Sequence, residues 1–348
     1  MFKEIEIEEA LSMPNKCFID VRSPAEFSAA TIPGAINLPL FNDEERHNIG
    51  IIYHAEGAAK AKMEGLIIVA SKLPHIVQTF FSCTAGKKPI IFCWRGGLRS
   101  QAVATVLDLL GVEVFRLHGG YRAYRQFIVR KLSTFQLTTT ELVVIDGFTG
   151  VGKTIILHKL KNRGHPVLDL ETMAGHRGSV FGQLGLNNVR GQKMFDALLW
   201  ECLQSVANKP YILVEGESKR IGNVFLPDFL FKAMHNGRHI LVEVDLAIRV
   251  QRILQEYAGN HETLIYDAAK ALEKITKHLG KRLEIELKEW LMKGDLHSFV
   301  EIILTKYYDP LYEKSQPAQK NYVAIVNAND METAVNHIES YLQKTFSA

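Results

Sequence analysis

The stretch LVVIDGFTGVGKTIILHKLKN, residues 142–162, decides the architecture of the C-terminal part of the chain. Leu142 to Asp146 read as a buried strand and TIILHKLKN as a helix. Between them, Gly147-Phe148-Thr149-Gly150-Val151-Gly152-Lys153-Thr154 fits G-x-x-x-x-G-K-[ST] in full. Strand, glycine-rich turn and helix start form the context in which this pattern cradles phosphates, because the loop amides and the helix N-terminus converge on one point. Lys153 adds a point charge, and the Thr154 hydroxyl is the candidate ligand of a magnesium ion. The general expectation for such a loop is ATP or GTP. A later strand-like run, LVEGES (213–218), places Glu215 and Glu217 where a carboxylate would face that ion, although an ordinary polar strand end reads the same way.

Upstream, LSTFQLTTTE (132–141) has no hydrophobic period and is rich in Thr and Ser, so it reads as a linker. It divides residues 1–135 from 136–348. In the first part CFIDV (17–21), PIIFC (89–93) and VEVFRL (112–117) read as buried strands. Helices are expected after Ser23-Pro24 and over 99–111, the latter closed by Gly111. After the phosphate loop, YILVEG (211–216) and HILVEVD (239–245) continue the alternation. From about residue 247 the chain reads as helical, apart from a strand at YVAIVNA (322–328). Alternating strands and helices predict an α/β protein of two doubly wound parallel-sheet domains with a mostly helical C-terminal region.

In the first domain the informative residue is Cys93, at the end of a predicted strand and followed by Trp94-Arg95-Gly96-Gly97-Leu98-Arg99-Ser100 and a helix. Ligands of open α/β sheets bind at the carboxyl ends of strands. Gly96 and Gly97 allow a tight turn whose amides form an anion nest, and those donors with Arg99 are expected to favour a thiolate. Cys17, Cys83 and Cys202 lack such surroundings and read as structural.

Length and composition are consistent with this division. The chain has 348 residues, roughly twice the size of a common domain. A net charge of +3 is too small to argue for nucleic acid, so any RNA surface must be a local cluster. One such cluster is RLHGGYRAYRQFIVRK (116–131), where Arg122, Arg125 and Arg130 alternate with Tyr121 and Tyr124. A solvated helix face is the alternative there, and it is the favoured reading for Lys274, Lys277, Lys281, Arg282 and Lys288, which acids accompany. The four cysteines show no metal or disulfide spacing, which fits a reducing cytoplasm. MFKEIEIEEALSM lacks the features of a signal peptide, and no apolar run of spanning length is evident, so no membrane segment is expected.

Residues 1–130 resemble the rhodanese superfamily. The resemblance rests on Ile19-Asp20-Val21-Arg22, Glu26-Phe27, Ile32-Pro33-Gly34-Ala35-Ile36-Asn37, the Cys93 loop and Gly119-Gly120-Tyr121. One departure is the loop length: five residues separate Cys93 from Arg99, where sulfurtransferases have four. Rhodanese-fold phosphatases and arsenate reductases share the longer loop, which suits a tetrahedral anion. Further segments are Asp169-Leu170-Glu171, His176-Arg177-Gly178-Ser179 with Phe181-Gly182, Glu217-Ser218 with Arg220-Ile221-Gly222, and Tyr307-Tyr308-Asp309-Pro310-Leu311-Tyr312. With these, the whole chain resembles the tRNA 2-selenouridine synthases.

That resemblance implies action on 2-thiouridine at wobble position 34 of tRNAs for Lys, Glu and Gln. It implies geranylation of the sulfur from geranyl diphosphate, then exchange for selenium from selenophosphate. Cys93 matches the family's selenium-carrying cysteine, the P-loop would hold geranyl diphosphate, and Gly65 falls where the family has a glycine linked to geranylation. His176 and Arg177 become an anion or tRNA site. No tightly bound cofactor is implied, only magnesium at Thr154. Two other classes stay open from the residues alone: a rhodanese-fold phosphatase or arsenate reductase, and a nucleotide-dependent regulatory module whose rhodanese half only binds.

Overall fold

The computed structural model describes residues 2–176, 189–256, 265–266, 268–270, 272–273, 279–315 and 321–346. The chain divides into two compact units, Met1–Thr134 with Asp196–Leu198, and Phe135–Phe195 with Leu199–Ala348.

The first unit carries strands β1 (Lys3–Ile5), β2 (Lys16–Asp20), β3 (Ile36–Asn37), β4 (Lys88–Phe92) and β5 (Phe115–Leu117). They form one parallel sheet in the order β1-β5-β4-β2-β3. The chain runs outward from β2 to β3 and returns on the other side of β2 as β4, so the order reverses between β2 and β4. A ligand crevice opens at such a reversal, and Cys93 follows β4 there. Helices α1 (Ile7–Ser12), α2 (Pro24–Ala29), α3 (Asp43–Glu56), α4 (Ala58–Thr84), α5 (Leu98–Leu109) and α6 (Gly120–Thr134) connect the strands. The expected Ser–Pro start is present: Ser23 and Glu26 make a reciprocal capping box with Pro24 in the first turn. Ile19, Val21, Ile91, Val103, Ala104 and Leu107 pack with Phe80 into the core. Each such fully buried side chain contributes roughly 1.5–3 kcal/mol.

The long α4 is the one described helix that bears on the expectation about membrane segments. Over 27 residues it contains an 18-residue window of mean hydropathy 1.4, enough by length and composition to cross a bilayer. Its buried positions, Ala61, Gly65, Val69, Ile76 and Phe80, recur at helical spacing and form a single stripe. Met63, Leu66 and Ile67 face outward. The sequence scan missed the window because Lys72, Pro74 and His75 interrupt the apolar run.

The second unit carries β6 (Glu141–Asp146), α7 (Lys153–Asn162), β7 (Val167–Leu168), α8 (Leu170–Ala174), α9 (Gln192–Val206) and β8 (Tyr211–Glu215). A two-residue hairpin follows, β9 (Arg220–Ile221) and β10 (Val224–Phe225), then α10 (Asp228–His235), β11 (Arg238–Glu243) and α11 (Leu246–Glu256). Further on are α12 (Lys281–Lys293), α13 (Leu296–Ile303), a π-helical turn at Leu304–Tyr308, α14 (Asp309–Ser315), β12 (Tyr322–Asn327) and α15 (Met331–Phe346). The sheet is again parallel, in the order β12-β11-β6-β8-β7. Its first strand, β6, lies at the centre, where the strand order reverses, and the phosphate loop leaves from its carboxyl end. Ile156, Leu157 and Leu160 of α7 and Ala334, Val335, Ile338 and Leu342 of α15 share one core with Val143, Ile145, Leu213 and Ile240. A separate apolar cluster joins Leu287 and Leu291 of α12 to Phe299, Ile303 and Tyr307.

Candidate active site

Each unit places one candidate anion-binding loop at the reversal of its sheet. In the first, Cys93 is 3% exposed, and its Sγ lies 3.3 Å from the Ser100 hydroxyl and 3.8 Å from the Gly97 carbonyl oxygen. The loop carbonyls are tied off behind it. The Cys93 oxygen accepts from the Tyr121 amide at 2.9 Å and the Trp94 oxygen from the Arg122 amide at 3.0 Å. Arg116 Nη1 donates to the Gly96 oxygen at 2.7 Å. In a planar trans peptide the C=O and the next N–H point in opposite directions, so these bonds turn the following amides toward the other side of the loop. Gly120, at φ +58°, makes this possible: a Cβ there would stand 2.3 Å from the Cys93 oxygen.

Arg99 differs from expectation. Its guanidinium binds the Glu26 carboxylate at 2.6 and 3.3 Å, both residues being partly buried. Burial opposes ionisation of Glu26, but the hydrogen bonds and charge of Arg99 hold it below the ordinary carboxylate range. A half-desolvated acid left by the α2 capping box thus takes up the guanidinium expected to serve Cys93. Arg95 and Gly97 lie exposed on the loop, and Gly96 is half-buried at φ +65°. Burial raises the thiols of Cys17, Cys83 and Cys202.

In the second unit the phosphate loop is held by side chains from far along the chain. Arg249 Nε donates to the Thr149 oxygen at 2.9 Å, and Arg252 Nη1 to the Val151 oxygen at 2.7 Å. Arg249 is 4% exposed, grips Asp309 through both η nitrogens at 2.6 and 3.0 Å, and stands over the Phe148 ring. The Gly147 amide donates to the Tyr312 hydroxyl at 2.7 Å, and Phe148 and Tyr312 meet edge to face. Lys153 Nζ folds back onto the Gly147 oxygen at 2.8 Å. Only glycine fits at Gly147, at φ +148°, because a Cβ would stand 2.5 Å from the Val242 oxygen. Gly150 and Gly152 take positive φ on either side of Val151.

Beside this loop three carboxylates converge. Glu215 ends β8 with its side chain fully buried, Glu217 follows two residues on, and Glu171 comes from the first turn of α8. Thr154 Oγ1 donates to Glu171 at 3.0 Å. Burial, then repulsion from Glu171, pushes Glu217 up to about 8, and the same causes raise Glu215 well above the usual range.

Other sequence-predicted residues separate. Gly65 is buried in α4, where a Cβ would touch the Phe41 ring at 3.3 Å. His176 is buried, and desolvation holds its pKa below the ordinary value. Its ring packs against Gly222. Arg177 lies outside the described residues, as do Gly178, Ser179, Phe181, Gly182, Lys274 and Lys277. On α6, Arg122 and Arg130 are exposed, Arg130 pairing with Glu8 at 2.5 Å. Arg125 is withdrawn from that surface by a 2.6 Å bond to Asp196. Tyr121 and Tyr124 are buried and cannot stack on bases as expected; Tyr121 instead packs on the Arg22 guanidinium, which Asp20 holds from below. On α12, Arg282 and Lys288 pair with Glu286 and Glu284 along the helix, as a solvated face does.

Arg116, Arg249, Arg252, Tyr312 and Glu171 emerge only from the structure. Of these, Tyr312, Glu171 and Arg116 stood in segments already notable in sequence, whereas Arg249 and Arg252 carried no local signal.

The class defined by these two units is a rhodanese-like domain joined to a P-loop domain. The rhodanese-like family model matches residues 6–127, and the model of the tRNA 2-selenouridine synthase AAA domain matches residues 140–345. The tRNA 2-selenouridine synthase of Nitrosomonas europaea is 32% identical, covering 87% of this chain and 90% of its own. That of Bordetella bronchiseptica is 32% identical over 94% and 95%, and that of Sulfurovum sp. 31% identical over 87% and 90%. The chain belongs to the tRNA 2-selenouridine synthase family and is an enzyme.

Proposed function

We propose that this enzyme converts 2-thiouridine at position 34 of tRNAs for Lys, Glu and Gln into 2-selenouridine, in two steps assigned to its two loops. Modification of tRNA to selenouridine is what the names of its relatives state. A tRNA substrate argues for the cytoplasm as its place of action. The division of labour rests on one observation: the chain carries two anion cradles, and only one has a thiol at its centre.

The cradle without a nucleophile suits a substrate whose diphosphate must be held as it leaves. In the geranyl step the tRNA sulfur bonds to C1 of geranyl diphosphate, the C1–O bond breaks, diphosphate departs and the uridine N3 proton is lost. Lys153 and the amides of Gly150 and Gly152 would take the diphosphate charge, and Thr154 would reach an accompanying magnesium ion. Lys153 is already poised there, its ammonium on the Gly147 oxygen.

The Cys93 loop suits selenophosphate, whose tetrahedral group matches a nest of amides with Arg95, Gly96 and Gly97 around it. Across this step the C2–S bond breaks and a C2–Se bond forms. Geranylthiol and, with one water consumed, inorganic phosphate are released, and N3 regains a proton. Cys93 stands at the centre of that nest, with Ser100 as its hydroxyl neighbour, and would handle selenium at the selenide level, so that no S–Se bond forms and no oxidant is needed. Arg99 keeps α2 against the loop through Glu26. Exposed Arg122 and Arg130 remain as tRNA phosphate contacts. A phosphatase reading of the longer Cys93 loop leaves the P-loop without a task.

The test is mass analysis of nucleosides from 2-thiouridine tRNA incubated with the enzyme and geranyl diphosphate, then with selenophosphate. S-geranyl-2-thiouridine should appear first and 2-selenouridine second. Selenation of 2-thiouridine without geranyl diphosphate would remove the two-step assignment.

A further inference from the structure

The acid cluster beside the phosphate loop has a geometry that the diphosphate alone does not explain. β8 pairs with β6 so that Glu215 stands opposite Ile145, next to the start of the loop. The chain then passes through Gly216, which lies so close to Asp146 that a Cβ would sit 2.1 Å from its Oδ1. This tight passage sends Glu217 back beside Glu215, and α8 brings Glu171 in from the other direction. One carboxylate oxygen from each of the three glutamates lies within 4.8 Å of the others. Glu215 is 0% exposed, and neither of its oxygens accepts a hydrogen bond. The Thr154 hydroxyl is close enough to ease its ionisation but donates to Glu171. A fully buried carboxylate with two unsatisfied oxygens, aimed at two other acids, is a costly arrangement unless something cationic sits between them.

The charge of Lys153 eases ionisation of Glu215 and Glu217, but its ammonium donates to the Gly147 oxygen at 2.8 Å and to the Phe148 oxygen, not to either carboxylate. Carboxylates and a hydroxyl are hard oxygen ligands of the kind that select magnesium or manganese. In octahedral coordination at roughly 2.1 Å, such oxygens stand about 3 Å apart when adjacent and about 4.2 Å when opposite. Three ligands of one octahedral ion include at least two adjacent pairs, so the glutamates would draw together on binding it.

We propose that Glu171, Glu215 and Glu217, with the Thr154 hydroxyl, form a protein-held divalent-cation site that fills before any phosphate ligand arrives. An ordinary P-loop relies on one or two carboxylates and takes its magnesium together with the substrate phosphates. Three carboxylates supply enough charge to hold the ion alone. The ion would then offset charge on the departing diphosphate; this task, though not the site, rests on the diphosphate reading above.

The experiment uses the full chain, stripped with a chelator and free of phosphate compounds, titrated with Mn²⁺ and followed by electron paramagnetic resonance. One equivalent of Mn²⁺ should bind, and Mg²⁺ should displace it. Glu215→Gln and Glu217→Gln should each weaken binding at least tenfold, while the control Glu284→Gln, a partly exposed position on α12, should leave it unchanged. Circular dichroism of each variant checks the fold, and partly exposed Glu171→Gln stands in if the buried change does not fold. Mn²⁺ binding only when diphosphate is added, or binding indifferent to the three glutamine changes, would overturn the proposal. Because no prenyl diphosphate is present, this outcome is independent of whether the P-loop is the geranyl site.

Discussion

The Cys93 loop and the phosphate loop solve one problem with different materials. Both present amides to an anion at a sheet reversal, and in both the carbonyls are secured from behind. The Cys93 loop is secured largely by main chain, through the amides of Tyr121 and Arg122, with one side chain, Arg116, on Gly96. The phosphate loop depends on the side chains of Arg249 and Arg252, about a hundred residues away in sequence. A main-chain brace comes with the fold, whereas a side-chain brace can be removed by one substitution. The two loops should therefore differ in how easily they are broken.

The largest effect is expected from Arg249→Ala. It leaves partly buried Asp309 without its partner and frees the Thr149 carbonyl, and breaking a largely buried pair this way costs roughly 3–5 kcal/mol. Chemical denaturation should show that loss in the second unit alone, with unfolding of the first unit unchanged. Loss spread equally over both units would erase the contrast.

Arg116→Ala is the matched change at the other loop. Its guanidinium is largely buried and holds one carbonyl, so roughly 1–3 kcal/mol is expected. The main-chain braces should keep Cys93 in place. Selenation should fall through weaker selenophosphate binding, seen as a higher KM with kcat little changed. A collapse of kcat instead would mean that Arg116, and not the α6 amides, shapes the nest.

Sequence reasoning reached the two loops because both are local. Gly147 to Thr154 and Cys93 to Ser100 each lie within a few residues, and the glycines they need are visible as glycines. The braces were illegible for the opposite reason. Arg249 and Arg252 resemble any basic residues on an amphipathic helix until the fold carries α11 to the loop. Arg99 misled because the pattern shows its place beside Cys93 but not Glu26, which reaches it from α2. Tyr121 and Tyr124 misled likewise: interleaving with arginines suggested a stacking surface, yet helical spacing turns both rings into the core. The Glu171 contribution needed α8 to be folded against Thr154 before three acids could be seen as one site.

The smallest effect concerns the surface that both loops must share, the tRNA. Neutralising Arg122 and Arg130 should weaken binding equally for all tRNA sequences and flatten the slope of log K against log salt by about 0.7–0.9 per lost contact. Arg125→Gln should leave that slope alone, because Asp196 already holds it. An unchanged slope for the first pair would place the RNA surface elsewhere.

The most direct test of two loops for two steps is a crossed nucleoside analysis with Cys93→Ser and Lys153→Ala, each given 2-thiouridine tRNA and, separately, tRNA already S-geranylated. Cys93→Ser should geranylate normally and form no 2-selenouridine from either substrate. Lys153→Ala should lose geranyl transfer about ten- to a hundredfold, the worth of one charge-assisted phosphate contact at roughly 1.5–3 kcal/mol, and still selenate the geranylated tRNA. If either variant lost both steps together, or if Lys153→Ala transferred geranyl at the wild-type rate, the assignment of one step to each loop would be wrong.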